Sequence, residues 1–176
     1  MIGVFDSGSG GLTVLRALRE RMPRADFVYF GDTEHAPYGN KSMREISELV
    51  AMSLLRLRAA GATNIVNACN TASVAIHNAL MDLLRINVFT IVGMVEPTVE
   101  ALAARGGKAV IFCTRATADS GVYQEECAKF GVEAEVIALP TLAGLIERSA
   151  GREEMKAAVR EGMRGIGKDT QTISLS

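Results

Sequence analysis

The chain has 176 residues, 48% of them hydrophobic, and its 19 basic and 20 acidic side chains leave a formal net charge of −1. This is enough apolar material for one large domain or two small ones, and a nearly balanced charge without a basic cluster argues against a nucleic-acid face and for a small-molecule partner. The start Met1-Ile2-Gly3-Val4-Phe5-Asp6 has no signal-peptide pattern, and the apolar stretch over 49–55 is cut by Arg56 and Arg58, far short of the roughly 20 residues of a membrane span, which disfavours secretion and membrane insertion.

Short runs of β-branched and apolar residues alternate along the chain with longer segments whose apolar residues recur at helical spacing. Strands are predicted over 2–5, 27–30, 64–68, 88–92, 109–113 and 134–138, and helices over 12–22, 43–60, 72–84, 97–105, 120–130 and from 142 onward. This rhythm implies an α/β fold of the doubly wound kind: parallel strands joined by right-handed crossovers, with helices on both faces. A break over 93–97 separates two small α/β units, 1–95 and 96–176; that these are two similar domains, the second incomplete, is what the family resemblance given below implies. In such sheets ligands sit beyond the carboxyl ends of the strands, so the residues after each strand are where chemistry is sought.

After the first strand comes Asp6-Ser7-Gly8-Ser9-Gly10-Gly11-Leu12, a glycine-rich turn into a helix. It matches neither the spacing of a phosphate loop nor a GxGxxG dinucleotide fingerprint. A tight turn capped by Asp6 or Ser7 is the plain reading, although Asp6 stands where a catalytic carboxylate would. After the second strand, the segment from Gly31-Asp32-Thr33 to Pro37-Tyr38-Gly39 is a polar loop able to offer the Tyr38 hydroxyl and the Gly39 backbone to a ligand, with Ser42 capping the next helix. His35 could serve as a general base, but a lone loop histidine is more often exposed and idle.

After the third strand, Cys69 stands where a helix begins, in Val66-Asn67-Ala68-Cys69-Asn70-Thr71-Ala72-Ser73. Unpaired N–H groups there favour a thiolate, and Asn70 and Thr71 add polar groups suited to a carboxylate or an amine. The bland alternative is a small buried hydrophobe, which is also the reading of Cys113 and Cys127. Three cysteines, widely spaced and without a CxxC pair, exclude a recognisable zinc site and fit free thiols in a reducing cytoplasm. After the fifth strand, Thr114 and Thr117 are candidates either for binding a carboxylate or for capping a helix.

Four segments in this order, Phe5-Asp6-Ser7-Gly8 with Gly10-Gly11-Leu12-Thr13-Val14, Gly31-Asp32-Thr33 with Pro37-Tyr38-Gly39, Ala68-Cys69-Asn70-Thr71-Ala72-Ser73, and Thr114 with Ala116-Thr117, resemble glutamate racemases. Aspartate racemases share the Cys-Asn-Thr core, but the first two segments point to the glutamate branch. The resemblance implies interconversion of L- and D-glutamate without pyridoxal phosphate or metal, supplying D-glutamate for peptidoglycan in the bacterial cytoplasm, and it admits a homodimer. It implies Cys69 as one of two acid/base groups flanking Cα, acting on the D-enantiomer, with Asp6 polarising the site. Ser7, Tyr38, Gly39, Asn70, Thr71, Thr114 and Thr117 would bind the substrate, and Glu147 corresponds to a glutamate assisting on the opposite side.

The family's second catalytic cysteine lies in a strand-end Cys-Thr-His motif. The stretch over 168–176 resembles the approach to it, and the sequence reaches Ser176 without one. The expectation is a chain shorter than the full family body, with little racemase activity by itself. The alternatives are a non-catalytic amino-acid-binding or interaction protein derived from the same fold, and an aspartate racemase-like enzyme.

Overall fold

The computed structural model describes residues 1–76 and 90–175. It divides into two compact units, Met1–Met94 and Val95–Ser176. The first contains β1 (Ile2–Asp6), α1 (Gly11–Arg21), β2 (Phe27–Gly31), a 3₁₀ turn (Tyr38–Asn40), α2 (Met43–Ala59), β3 (Asn64–Asn67), α3 (Asn70–Ala75) and β4 (Thr90–Val92). The second contains α4 (Val95–Arg105), β5 (Lys108–Cys113), α5 (Arg115–Asp119), α6 (Val122–Lys129), β6 (Ala134–Ala138), α7 (Leu142–Glu147), α8 (Arg152–Gly162) and β7 (Thr170–Leu175). Positions 77–84 of the helix expected over 72–84, and positions 88 and 89 of the strand expected over 88–92, lie outside the described residues.

Both sheets are parallel. The first has the order β2-β1-β3-β4 and the second β6-β5-β7. In the first, Phe5 is level with Phe30 on one side and with Asn67 on the other, so the ends of three neighbouring strands lie together. The chain steps from β1 outward to β2 and returns to place β3 on the other side of β1. This makes the β1/β3 border the point where strand order reverses, the usual position of a ligand crevice in an open α/β sheet. In the second sheet the corresponding border lies between β5 and β7.

The sequence accounts for these elements locally. Val4 and Phe5 are wholly buried, as expected of a central parallel strand covered on both faces. In α2, Ile46, Val50, Leu54 and Leu57 form one buried stripe, and the helix packs against β1 and β2. Each such side chain stabilises the fold by about 1.5–3 kcal/mol. Ser42 starts α2 with a reciprocal capping box: its hydroxyl accepts from the Glu45 amide at 3.3 Å, and the Glu45 carboxylate accepts from the Ser42 amide at 2.9 Å.

One helical expectation holds and one is corrected. The helix expected over 120–130 is α6, entered through Gly121 at φ +74°, and the short α5 before it, ending at Asp119, was not expected. The region from 142 onward is two helices, separated by Ser149 at φ +52° and by Gly151. The extended stretch at 170–175 is the parallel strand β7, paired with β5. No helix among the described residues is long and apolar enough to cross a membrane.

Candidate active site

The carboxyl ends of β1, β2 and β3 bring the three motif segments of the first unit together. Asp6 ends β1 and is buried, and its Oδ2 accepts from the Gly8 amide at 3.0 Å. This replaces the expected helix cap, because α1 begins after Gly10 with no side-chain cap at all. The turn is tight enough to require glycine twice. A Cβ on Gly11 would stand 2.6 Å from the Asp6 Cβ, and one on Gly31 would run into the Gly8 carbonyl oxygen. The Tyr29 hydroxyl donates to that same carbonyl at 2.8 Å, so β2 braces the loop that carries Ser7.

Cys69 is the N-cap of α3. Its thiol donates to the Ser7 hydroxyl at 3.2 Å across the β1/β3 border, and its Sγ accepts from the Ala72 amide at 3.4 Å. The thiol is pushed up to about 11, first by burial and second by the negative charge of Asp6, while hydrogen bonds with Ser7 and with the Ala72 amide oppose the rise. The sequence expectation of a thiolate is therefore corrected. A helix start contributes about 0.3–1 kcal/mol in favour of an anion, whereas burying a charge shifts a pKa by up to several units, and here burial wins. Resting Cys69 holds its proton at neutral pH.

The second-strand loop is organised around a buried carboxylate, Asp32. Tyr38 lies in the 3₁₀ turn and is buried, and its hydroxyl donates to Asp32 Oδ2 at 2.6 Å. Burial and the Asp32 carboxylate together raise the Tyr38 phenol well above its ordinary range. His35 is partly exposed, and its Nδ1 lies 2.9 and 3.0 Å from the two Asp32 oxygens. Asp32, itself 4% exposed, joins both side chains, and its amide donates to the Asp6 carbonyl at 2.9 Å. Asp32 was not among the candidate residues, although it stands just after a strand end as Asp6 does, and that position was the available signal.

Gly39 and Thr71 are buried, while Ser7 and Asn70 are partly exposed. Thr71 and Asn70 occupy the first turn of α3, directly after Cys69. Within the second unit, Thr114 follows β5 and caps α5, accepting from the Thr117 amide at 3.3 Å, with the two hydroxyls 3.0 Å apart. Thr117 is wholly buried. Cys113, the last residue of β5, is pushed up to about 12 by burial and by Asp119. Glu147 ends α7 and is half-buried. Cys127 is buried within α6.

The family model described as Asp/Glu/Hydantoin racemase matches residues 9–175. Glutamate racemase from Phenylobacterium zucineum is 42% identical over 182 residues, covering 90% of this chain and 64% of that protein. Glutamate racemase from Aquifex aeolicus is 40% identical over 162 residues, covering 91% of this chain and 63% of the relative. Among solved structures, glutamate racemase from Thermus thermophilus in complex with β-chloro-D-alanine superposes with a TM-score of 0.81 at 37% identity, over 98% of this chain and 64% of that one. Glutamate racemase from Francisella tularensis in complex with D-glutamate gives a TM-score of 0.85 at 26% identity, over 98% and 66% respectively. The chain thus spans somewhat less than two-thirds of the length of the relatives it matches.

Proposed function

Since this chain belongs to the Asp/Glu/hydantoin racemase family, we propose that it carries one half of a site that interconverts L- and D-glutamate, with Cys69 as the proton-transfer residue on one face of Cα. The observation that supports this most is the Cys69 thiol at the β1/β3 border, hydrogen-bonded to Ser7 and held protonated by burial and by Asp6. Racemisation removes the Cα proton on one face and returns a proton on the other. A protonated Cys69 is poised for the second of these steps, giving its S–H proton to the carbanion as D-glutamate forms. In the reverse direction its thiolate takes the Cα proton of D-glutamate, and Asp6 then keeps that proton on sulfur.

In this reading Ser7, Tyr38, Gly39, Asn70, Thr71, Thr114 and Thr117 are the substrate-binding residues and Glu147 is the assisting one. The two units are the family's two domains. The reaction draws on side chains and needs no pyridoxal phosphate or metal. Solved relatives bound to D-glutamate and to a D-alanine analogue support a D-amino acid as the substrate class. A bacterial cytoplasmic role in supplying D-glutamate for peptidoglycan follows from the same reading.

The test is to incubate the chain with D- and with L-glutamate in D₂O, following α-proton exchange by NMR and inversion by chiral chromatography. The expected result is Cys69-dependent exchange from D-glutamate, lost in Cys69→Ala. Binding without exchange, or exchange that survives Cys69→Ala, would overturn the catalytic assignment and favour a non-catalytic amino-acid-binding protein.

A further inference from the structure

Asn67, the last residue of β3, has a wholly buried amide side chain. Its Oδ1 accepts from the Cys69 amide at 3.2 Å, and its Nδ2 donates to the Ser73 hydroxyl at 3.2 Å. Ser73, also buried, donates from Oγ to the Cys69 carbonyl at 2.9 Å and accepts from the Met94 amide at 3.0 Å. The Ser73 amide donates to the same Cys69 carbonyl at 2.9 Å. A serine hydroxyl has one proton and two lone pairs: the Asn67 side chain and the Met94 amide take the lone pairs, and the proton goes to the Cys69 carbonyl, with the Asn67 carbonyl farther off at 3.4 Å. The Asn67 amide has only one workable orientation, because reversing it would set its NH₂ against the Cys69 N–H.

Both peptide groups of Cys69 are therefore held. Asn67 fixes its N–H side, Ser73 fixes its carbonyl side, and the backbone stays extended at φ −86°, ψ 117°. With φ and ψ settled, the position of Sγ depends on a single side-chain torsion, and Ser7 and the Ala72 amide select its value. Proton transfer to carbon tolerates little misplacement of the acid, since the reacting atoms must already lie in a near-attack geometry.

On the reading of Cys69 as the proton-transfer residue, we propose that Asn67 and Ser73 are its positioning residues: together they clamp the Cys69 backbone so that Sγ stays directed at the Ser7 hydroxyl. Neither residue needs to touch the substrate to do this. Their effect is on the direction of the S–H bond.

The S–H stretching band reports this directly, because it falls in an infrared window free of other protein bands and moves down when the thiol donates a hydrogen bond. The Cys69 band is isolated at neutral pH as the difference between the parent chain and Cys69→Ala. Ser7→Ala, which removes the acceptor, sets the upper reference position. The expected result is that Asn67→Leu and Ser73→Ala both move the band upward toward that reference, with far-UV circular dichroism unchanged, and that Ser73→Thr restores the parent position. If Asn67→Leu fails to fold, the serine pair carries the test. A folded Ser73→Ala chain whose band stays at the parent position overturns the proposal, as does a band that does not respond to Ser7→Ala. The infrared readout does not depend on turnover, so a parent chain that exchanges no glutamate proton refutes the racemase reading separately from the clamp.

Discussion

Asp32 accepts from Tyr38 and contacts His35 with a carboxylate that is almost wholly buried. Hydrogen bonds to a charged group are worth about 1.5–3 kcal/mol, so Tyr38→Phe is expected to lower stability by about that amount in chemical denaturation. Cys69 gives a pH prediction with a definite sign. Its folded-state value, about 11, lies above its ordinary 9.0, so the stability it contributes is complete below about pH 9 and is lost as pH rises through about 11. A rise of that size corresponds to about 3 kcal/mol, and Cys69→Ala should flatten this part of the stability–pH curve, measured by urea denaturation from pH 8 to 11. The position of Cys69 after a strand was legible in the sequence. Its protonation state was not, because that depends on Asp6 and Ser7, which are distant in the chain and fold against it across the sheet.

At the scale of elements, the turn after β1 leaves little room around its backbone. Gly31→Ala pushes a methyl group into the Gly8 carbonyl and must displace the loop that carries Ser7. Overpacking of this kind costs about 1–3 kcal/mol, and the thermal midpoint of Gly31→Ala should fall accordingly, with the Ser7–Cys69 contact weakened. The strands at 2–5, 27–30, 109–113 and 134–138 were legible to within a residue, because buried parallel strands read as continuous apolar runs. The helix break at Ser149 was not, because apolar spacing continues across the turn and only the backbone angles reveal it. Asn67 was hidden for a related reason: a polar residue closing an apolar strand looks like its end, and only packing shows that its amide links two other residues.

At the scale of the whole molecule, each unit must supply its own core. In the second, Val110, Phe112, Leu139 and Leu142 form a buried cluster against which Met155 and Val159 of α8 pack. Phe112→Ala should cost about 3–5 kcal/mol, a large share of the roughly 5–15 kcal/mol typical of a folded domain. Loss of soluble yield and of cooperative unfolding in that variant would confirm it. The alternation of strands and helices made the fold class readable at this scale, whereas the placement of substrate groups depends on side-chain geometry that periodicity does not encode. The three cysteines, all buried and all raised above their ordinary values, share a further property. Peroxides and disulfides react with the thiolate, and only where they can reach it. A buried sulfur that keeps its proton is thereby protected from the oxidants around it, so the chain should survive peroxide exposure that converts an ordinary free cysteine to its sulfenic acid.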